Sequence, residues 1–238
     1  MYCGGATVEI GSIWRKPSRR TVSSSDVADP SSSCARTAIR RASARLTSVS
    51  FTAFVLSHLP PPPRRVLEVG CGRGELALAL DAAAYDVIAV DPEAPEGPIF
   101  RQTAIEDLDE PGPFDAVIAS FSLHHVHALD GVLDQLRGLL APAGVVILDE
   151  FGWDLLDEQT AEQYEFDLGE WKAEHDDLHG FERLRGALDA RFQEQHFSPE
   201  PYFSRHLGAD EDEELELIAA GKIRSLGFRY VGRNEWQR

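Results

Sequence analysis

Three closely spaced glycines behind an acidic residue are the first candidates for chemistry in this sequence. The segment EVGCGRG carries Glu68, Gly70, Gly72 and Gly74 between an apolar run and a segment rich in leucine and alanine. Glycine lacks a Cβ atom, so the main chain can approach a ligand closely, and the first turn of a following helix offers unpaired N–H groups. The segment therefore predicts a ligand-binding turn in which Cys71 is a small spacer.

The spacing of these glycines distinguishes between possible ligands. A dinucleotide-binding G-x-G-x-x-G motif needs glycine at position 75, where the chain has Glu75, and no G-K-[ST] follows as a P-loop would require. A carboxylate facing a pyrophosphate is unfavourable. The turn therefore favours a ligand without phosphates, and Glu75 argues against an NAD-dependent oxidoreductase, which we keep as an alternative.

Histidines and carboxylates later in the chain form a second group of candidates. His124, His125 and His127 follow one apolar run, and Asp149 and Glu150 end another. Adjacent histidines point in different directions and no carboxylate motif accompanies them, so we predict no metal site. We predict that His124 or His125 faces a ligand cleft, and that His125 or Glu150 is the general base if the reaction needs one. A solvated strand end is the alternative for Glu150.

The elements that would position these residues alternate along the chain. Apolar runs predict strands at 66–69, 86–90, 114–120 and 144–151, and helical patterns lie between them at 75–83 and 129–140. Strands that are apolar throughout and separated by helices indicate a parallel sheet covered on both faces. The predicted class is a doubly wound α/β fold, whose ligands bind beyond the carboxyl ends of the strands.

The remaining chain predicts a helical cap and further elements of the sheet. Residues 152–179 are acidic and aromatic, and we expect them to be helical and to lie at the carboxyl edge of the sheet, where His175 or His179 could reach a substrate. The pattern then predicts a helix at 181–192, a strand at 201–207, an acidic helix at 210–223 and a last strand at 228–233.

Composition and length predict one globular domain with an N-terminal extension. The chain has 238 residues, of which 43% are hydrophobic and 26% are charged, as in ordinary globular proteins. Residues 1–34 are predicted to be a disordered tail, 35–63 a helical segment with a proline linker, and 64–238 the main domain, which includes the cap.

The charge is divided unevenly and favours small-molecule partners. Residues 1–65 contain ten lysines and arginines against three acids, whereas 66–238 contain thirteen against thirty-seven. An acidic body repels phosphate backbones, so we predict no nucleic-acid partner. No apolar run is long enough to span a membrane, no secretory signal is visible and the three cysteines form no pair motif, so we predict a cytoplasmic protein without a membrane partner.

Five motifs in order across residues 64–151 resemble the class I S-adenosylmethionine-dependent methyltransferases. EVGCGRG is similar to the first motif of the family, an acidic residue, one spacer and G-x-G-x-G, and VIAVDPE places Asp91 and Pro92 at the end of strand two. AIEDL resembles the adenine-side motif, FDAVIASFSLHHV resembles strand four and its loop, and LRGLLAPAGVVILDEF resembles the helix, turn and strand five.

The resemblance implies a cofactor and a set of binding residues. The cofactor is S-adenosyl-L-methionine, with its ribose hydroxyls at Asp91 and its cationic amino end near Glu68, and backbone amides of the glycine turn could meet its carboxylate. The implied fold is a mostly parallel seven-stranded, Rossmann-like sheet with a cap inserted after strand five. The binding residues implied are Glu68, Gly70, Cys71, Gly72, Gly74, Asp91, Pro92, Ile105, Glu106, Ser120 and Phe121.

The same resemblance implies transfer of a methyl group to an oxygen, nitrogen or carbon nucleophile of a small molecule. The loop after strand four reads SFSL, and not the N-P-P-Y type that relatives use on nucleic-acid bases. Ala104 stands where many relatives carry Asp, and no base is obvious. These departures support the alternative of a regulatory protein that binds the nucleoside without catalysis.

Overall fold

The computed structural model describes residues 50–235. The predicted tail at 1–34 lies outside the described residues, as does most of the predicted helical segment at 35–63. The described part of that segment contains helix α1, Phe51–His58, which begins where the Ser50 side chain accepts a hydrogen bond from the Ala53 N–H. It ends before Pro60, because the residue that precedes a proline disfavours the helical conformation.

Seven strands form one sheet, as predicted. Strands β1 to β5 are parallel, β7 alone runs in the opposite direction, and β6 pairs antiparallel with β7 and so has the direction of the first five. The order across the sheet is β3-β2-β1-β4-β5-β7-β6. The strands are β1 Arg65–Val69, β2 Asp86–Asp91, β3 Phe100–Gln102, β4 Phe114–Ser120, β5 Leu140–Phe151, β6 Gln193–Glu200 and β7 Gly227–Arg233.

Helices cover both faces of this sheet and bury its apolar side chains. One face packs against α3, Leu129–Leu139, and α6, Phe181–Asp189. The other packs against α1 and against α2, Glu75–Ala82. Burying each leucine or valine contributes about 1.5–3 kcal/mol, so these two clusters carry most of the stability. The predicted doubly wound α/β class is confirmed.

The strand order reverses next to β1, and this creates a crevice. The chain runs outward from β1 to β2 and β3, then returns to place β4 on the other side of β1. Connections that leave neighbouring parallel strands in opposite directions open a gap at their carboxyl ends. The glycine turn after β1 and the loop after β4 meet at this gap.

The segment after β5 is helical, as predicted, and forms the cap. It contains a short 3₁₀ turn at Trp153–Leu155 and two helices, α4 Glu158–Gln163 and α5 Leu168–His175. Asp157 and Asp167 start these helices by accepting backbone hydrogen bonds. The cap packs on the end of β5 through a third apolar cluster of Phe151, Leu156, Ala161, Trp171, Phe203 and Leu226.

The predicted strand at 201–207 is wrong. Strand β6 lies earlier, at Gln193–Glu200, and residues Phe203–Leu207 form a π-helix. The cause is Glu214 of helix α7, Glu211–Ala219, whose fully buried carboxylate accepts backbone N–H groups from Tyr202, Phe203 and Ser204. These donors are therefore not available to a sheet ladder.

Within residues 50–235, no helix is long and apolar enough to cross a bilayer.

Candidate functional site

The turn between β1 and α2 has no room for a side chain at Gly70 or Gly74. Gly70, Gly72 and Gly74 have φ angles of +72°, +49° and +78°. A Cβ atom on Gly70 would lie 2.4 Å from the Cβ of Ser122, and one on Gly74 would lie 2.4 Å from the Phe100 ring. A Cβ on Gly72 would meet no atom within 4 Å, so the middle of the turn is open.

Cys71 lies inside the same turn but does not belong to its open side. Its side chain packs in the apolar cluster under α1 and α2. Burial is the largest cause that raises the pKa of the thiol to about 12, with the carboxyl groups of Glu68 and Asp91 adding to the shift. A neutral, buried thiol fits the predicted role of a spacer.

Asp91 connects the end of β2 to the glycine turn. Its Oδ2 accepts a hydrogen bond of 3.0 Å from the Gly72 N–H, and its Oδ1 accepts one of 2.8 Å from the Glu93 N–H. Each carboxylate oxygen has two lone pairs, so both retain a free acceptor position. The pair is available to two adjacent hydroxyl groups of a ligand.

Glu68 lies under the turn and does not line the cleft. It is 4% exposed, it accepts a hydrogen bond from the backbone of Ala77 in α2, and its Oε2 has no partner among the described residues. Burial is the largest cause that raises its pKa to about 8, and the charge of Asp91 adds to this. Glu68 is therefore mostly protonated at pH 7, and its predicted contact with the donor's amino end stays a prediction.

A cleft of about 420 Å³ opens at the carboxyl ends of β1, β2 and β4. It contains seven of the predicted site residues, namely Gly70, Asp91, Pro92, Ile105, Glu106, Phe121 and His125. The sequence did not predict Thr103, Ser122, Val126 and His127, which also line it. The lining does not include the predicted residues Glu68, Cys71, Gly72, Gly74, Ser120 and Glu150.

A larger open cavity lies at the opposite edge of the sheet. Its volume is about 740 Å³, and it is bounded by Pro113 before β4, Leu140 at the start of β5 and Asn234 after β7. It contains none of the predicted site residues. The smaller cleft is the better candidate, because ligands of open α/β sheets bind at the carboxyl ends of the strands.

The loop after β4 begins with a residue in an unusual conformation. Phe121 has a φ of +49°, and its N–H donates to the Asp149 carbonyl at 2.8 Å. The following Ser122 donates its hydroxyl to the Val69 carbonyl at 3.1 Å, which ties the loop to β1. A non-glycine residue in this region costs about 1–2 kcal/mol and commonly marks a functional position.

Glu150 is sealed beneath this loop. It has no exposed surface, and one oxygen accepts the N–H groups of Ser122 at 3.1 Å and Leu123 at 2.7 Å. The other oxygen lies 2.7 Å from Nδ1 of His124. The neighbouring Asp149 points to the opposite face of the sheet, where it pairs with Arg205. Glu150 is thus not a solvated strand end.

The three clustered histidines have different surroundings. His124 is 4% exposed and pairs with Glu150, whereas His125 and His127 line the cleft and are exposed. Loss of water around the part of the His125 ring that lies against the cleft wall is the largest cause that lowers its pKa, and the neighbouring His124 lowers it further. Among residues 50–235, no histidine, cysteine or carboxylate cluster has the arrangement of a metal site.

The cap is joined to the loop after β4 through His179. The His179 N–H donates to the His124 carbonyl at 3.0 Å, and its Nε2 lies 2.9 Å from the Val126 carbonyl. The Trp153 indole donates to the Leu178 carbonyl at 3.2 Å and so anchors the same end of the cap. His175, the other predicted cap histidine, stacks on Trp171 at 4.3 Å.

Comparison with known proteins tests the family that the sequence motifs and the fold suggest. Residues 37–206 match the sequence model of the methyltransferase domain family. The chain belongs to this family. The predicted membership in the class I S-adenosylmethionine-dependent methyltransferases is confirmed, and the two ends of the chain lie outside the matched range.

Relatives of this methyltransferase-family chain align over less than half of its length. It is 38% identical over 106 residues to methyltransferase str2 of Strobilurus tenacellus, covering 38% of this chain and 37% of that protein. It is 36% identical over 106 residues to a ubiquinone biosynthesis O-methyltransferase of Xylella fastidiosa, covering 38% of this chain and 43% of that protein. The chain thus spans less than half the length of these two relatives.

A solved structure shows the same fold at much lower sequence identity. A methyltransferase structure from Listeria monocytogenes superposes with a TM-score of 0.55 at 17% identity, covering 77% of this chain and 96% of the other. The seven-stranded, Rossmann-like fold expected from the motifs is therefore confirmed.

Proposed function

We propose that the protein is an S-adenosylmethionine-dependent methyltransferase that acts on a small-molecule acceptor. One observation carries the proposal. The open glycine turn and the Asp91 carboxylate are hydrogen-bonded to each other at the crevice where the strand order reverses. The cleft volume of about 420 Å³ lies in the range of roughly 300–1,000 Å³ that accommodates small organic ligands.

The cleft residues suit the chemical groups of this donor. The free acceptor positions of Asp91 match two ribose hydroxyls, and the apolar side chains of Val90 and Ile105 offer walls for the adenine. Glu106 lies on the adenine side, and Phe121 and Ser120 lie at the methionine end, by the family resemblance. By the family resemblance the donor carboxylate lies at the glycine turn, where the N–H groups of Gly70, Cys71, Gly72 and Gly74 already donate to oxygens of the protein itself.

The chemistry requires little from the protein beyond positioning. The methyl group of a sulfonium is already activated, so an enzyme accelerates its transfer mainly by holding donor and acceptor in line in a site that excludes water. The third apolar cluster, which joins the cap to the end of β5 and is called the cap cluster from here on, lies against Phe121. It supplies the apolar cover that such a site needs. We place the acceptor between the loop after β4 and the cap.

Two observations support a small organic acceptor. A relative named as a ubiquinone biosynthesis O-methyltransferase supports a small organic acceptor with an oxygen nucleophile. The net charge of −17 argues against nucleic acid. We propose a cytoplasmic enzyme that has neither nucleic acid nor membrane as a partner.

A regulatory protein that binds the donor without transferring the methyl group is the second candidate. Ala104 lines the cleft, and by the family resemblance it stands where many relatives carry an Asp that contacts adenine. The predicted base Glu150 is sealed away from the cleft. An NAD-dependent oxidoreductase is disfavoured by Glu75, which opens the first turn of α2.

Ligand titration distinguishes these candidates. We expect S-adenosylmethionine and S-adenosylhomocysteine to raise the melting temperature of the full chain and NAD to leave it unchanged. Stabilisation by NAD alone would refute the proposal. Tight donor binding without methyl transfer to any member of a broad acceptor panel would favour the regulatory candidate. Mass spectrometry of a co-purified ligand provides an independent check.

A further inference from the structure

One buried carboxylate organises the loop that follows β4. Among residues 50–235, the Glu150 carboxylate forms its hydrogen bonds with that loop: the N–H groups of Ser122 and Leu123 on one oxygen, and His124 on the other. Because the carboxylate has no exposed surface, it cannot touch a substrate in the cleft. Its influence on the reaction must pass through the residues that it holds.

His124 is held by this contact in a defined ring state. Nδ1 lies 2.7 Å from a Glu150 oxygen, and a carboxylate at that distance keeps the proton on Nδ1. The lone pair is then on Nε2, which makes no hydrogen bond to any residue from 50 to 235. A carboxylate that orients an imidazole so that its far nitrogen can accept a proton is the arrangement of an acid–base pair.

The ring of His124 lies between the cleft and the cap. Its centroid is 4.1 Å from that of His125 and 6.2 Å from that of Phe121, and both of these residues line the cleft. On the other side it meets Phe151 of the cap cluster edge-on at 5.7 Å. The His124 ring therefore lies behind the cleft wall on the side that faces the cap, next to the position in which the proposed function places the acceptor.

Among the described residues, Glu150 is the only anionic group in contact with His124. His206 of the π-helix packs on Phe121, and its pKa falls to about 4 because of burial and, second, the charge of Arg205. His125 also has a lowered pKa, and it faces His175 and Asp177 of the cap. Both of these histidines are therefore neutral at pH 7.

We propose that His124 is the general base of the methyl transfer and that Glu150 is the residue that positions it. The inference rests on the function proposed above and adds that the acceptor carries its reacting proton, as a hydroxyl or an ammonium group. The acceptor atom forms a bond to the methyl carbon while the carbon–sulfur bond breaks, and the electron pair stays on sulfur, which becomes neutral. The acceptor proton passes to Nε2 of His124 and then to solvent.

The first test observes the ring state and needs no acceptor. The full chain is labelled with ¹⁵N-histidine, and long-range NMR spectra at about pH 8 are compared for wild type, E150Q and a control, H196Q, in strand β6. We expect His124 to be protonated on Nδ1 and bare on Nε2, and we expect E150Q but not H196Q to abolish this preference. A His124 protonated on Nε2 would overturn the inference.

The second test uses two phenols as acceptors and follows formation of S-adenosylhomocysteine. With 4-methylphenol, which keeps its proton at about pH 8, we expect H124Q to lower kcat by roughly 10²–10⁴-fold and E150Q to lower it by at least about tenfold, with E150D partly restoring it. With 4-nitrophenol, which is already ionised, the loss in H124Q should be below about tenfold. H196Q should match wild type.

Calorimetry with S-adenosylmethionine separates failure of this inference from failure of the proposed function. Donor affinity in H124Q within about threefold of wild type, together with the loss of kcat, supports a base. Wild-type kcat in H124Q would overturn the inference and leave the proposed function intact. Absence of donor binding to wild type would refute both. If wild type methylates neither phenol, the ring state of His124 decides.

Discussion

The carboxylate of Asp91 accepts a hydrogen bond from the backbone N–H of Gly72, at 3.0 Å. This contact joins the carboxyl ends of two neighbouring strands and sets the width of the cleft at that point. The side chain that is proposed to bind the ribose therefore also holds the turn that is proposed to meet the methionine carboxylate. Removing it should affect ligand binding more than overall stability, because Asp91 is partly exposed.

We expect D91A to weaken binding of S-adenosylhomocysteine by about 10–100-fold, because hydrogen bonds to a charged group are worth about 1.5–3 kcal/mol. Isothermal titration calorimetry measures the effect. D86A at the other end of β2 is the matched control. Asp86 is largely exposed, and its ion pair with Arg65 is long, at 3.7 Å. Equal affinities of D91A and D86A would show that Asp91 does not bind the ligand.

Two glycines of the turn should differ in their tolerance of a methyl group. G70A introduces both a left-handed alanine and an overlap with Ser122, and should lower the free energy of unfolding by roughly 2–5 kcal/mol. G72A introduces only the backbone strain, about 1–2 kcal/mol. Urea denaturation of the two variants measures the difference. A G72A variant as unstable as G70A would contradict the open turn.

Protonation of Glu68 should make stability depend on pH. Its folded pKa of about 8 exceeds its ordinary value of 4.5, so the folded protein binds more protons than the unfolded chain between these values. The Glu68 contribution is fully present below pH 4.5 and is lost as the pH rises to about 8, at up to about 1.4 kcal/mol per pH unit.

E68Q removes this dependence, because a glutamine does not titrate. We expect E68Q and wild type to have similar free energies of unfolding near pH 4.5, and E68Q to become progressively more stable than wild type as the pH approaches 8. Denaturant titrations across this range measure it. A difference that stays constant with pH would show that Glu68 is ionised throughout.

Glu214 should be essential for the segment at 202–207. E214Q replaces one acceptor oxygen by an amide that faces backbone donors, and should cost roughly 2–4 kcal/mol of stability. E213Q on the same helix is the matched control, since Glu213 is exposed. Thermal melting compares them. Equal melting temperatures would mean that the buried carboxylate does not hold the π-helix.

The C-terminus of α2 offers a stabilising substitution. Ala84 has a φ of +68°, and the Tyr85 N–H closes the helix by donating to the Leu80 carbonyl at 3.1 Å. Glycine is preferred in this position, so A84G should raise the free energy of unfolding by about 0.5–1 kcal/mol. A83G, at a φ of −87°, should lower it. The same denaturant titration checks both signs.

The central strands were predictable because their sequences are apolar on both faces. The run VLEV and its counterparts in β2, β4 and β5 can be buried only in the middle of a covered sheet. The edge strands carry no such signal. β3 has only three residues, and β6 reads QEQHFSPE, a mostly polar sequence in which no side chain is fully buried. Neither was predicted at its position.

The candidate site was predictable where a backbone motif determines it and not where pairing across the sheet does. The glycine spacing predicts the turn, and the resemblance of VIAVDPE to the second family motif implies Asp91 at the end of β2. Asp149 and Glu150 are adjacent in sequence, and alternation along β5 sends them to opposite faces. Which of them reaches His124 depends on the register between β4 and β5, and that register is a property of the fold.

His179 contacts the carbonyls of both His124 and Val126, so the end of the cap and the loop after β4 form one mechanical unit. Swinging the cap outward would break both hydrogen bonds and disturb the residues proposed to receive the acceptor proton. If the acceptor binds where we propose, its entry and the release of the methylated product are coupled to the order of the loop after β4. Turnover and loop motion should share one timescale.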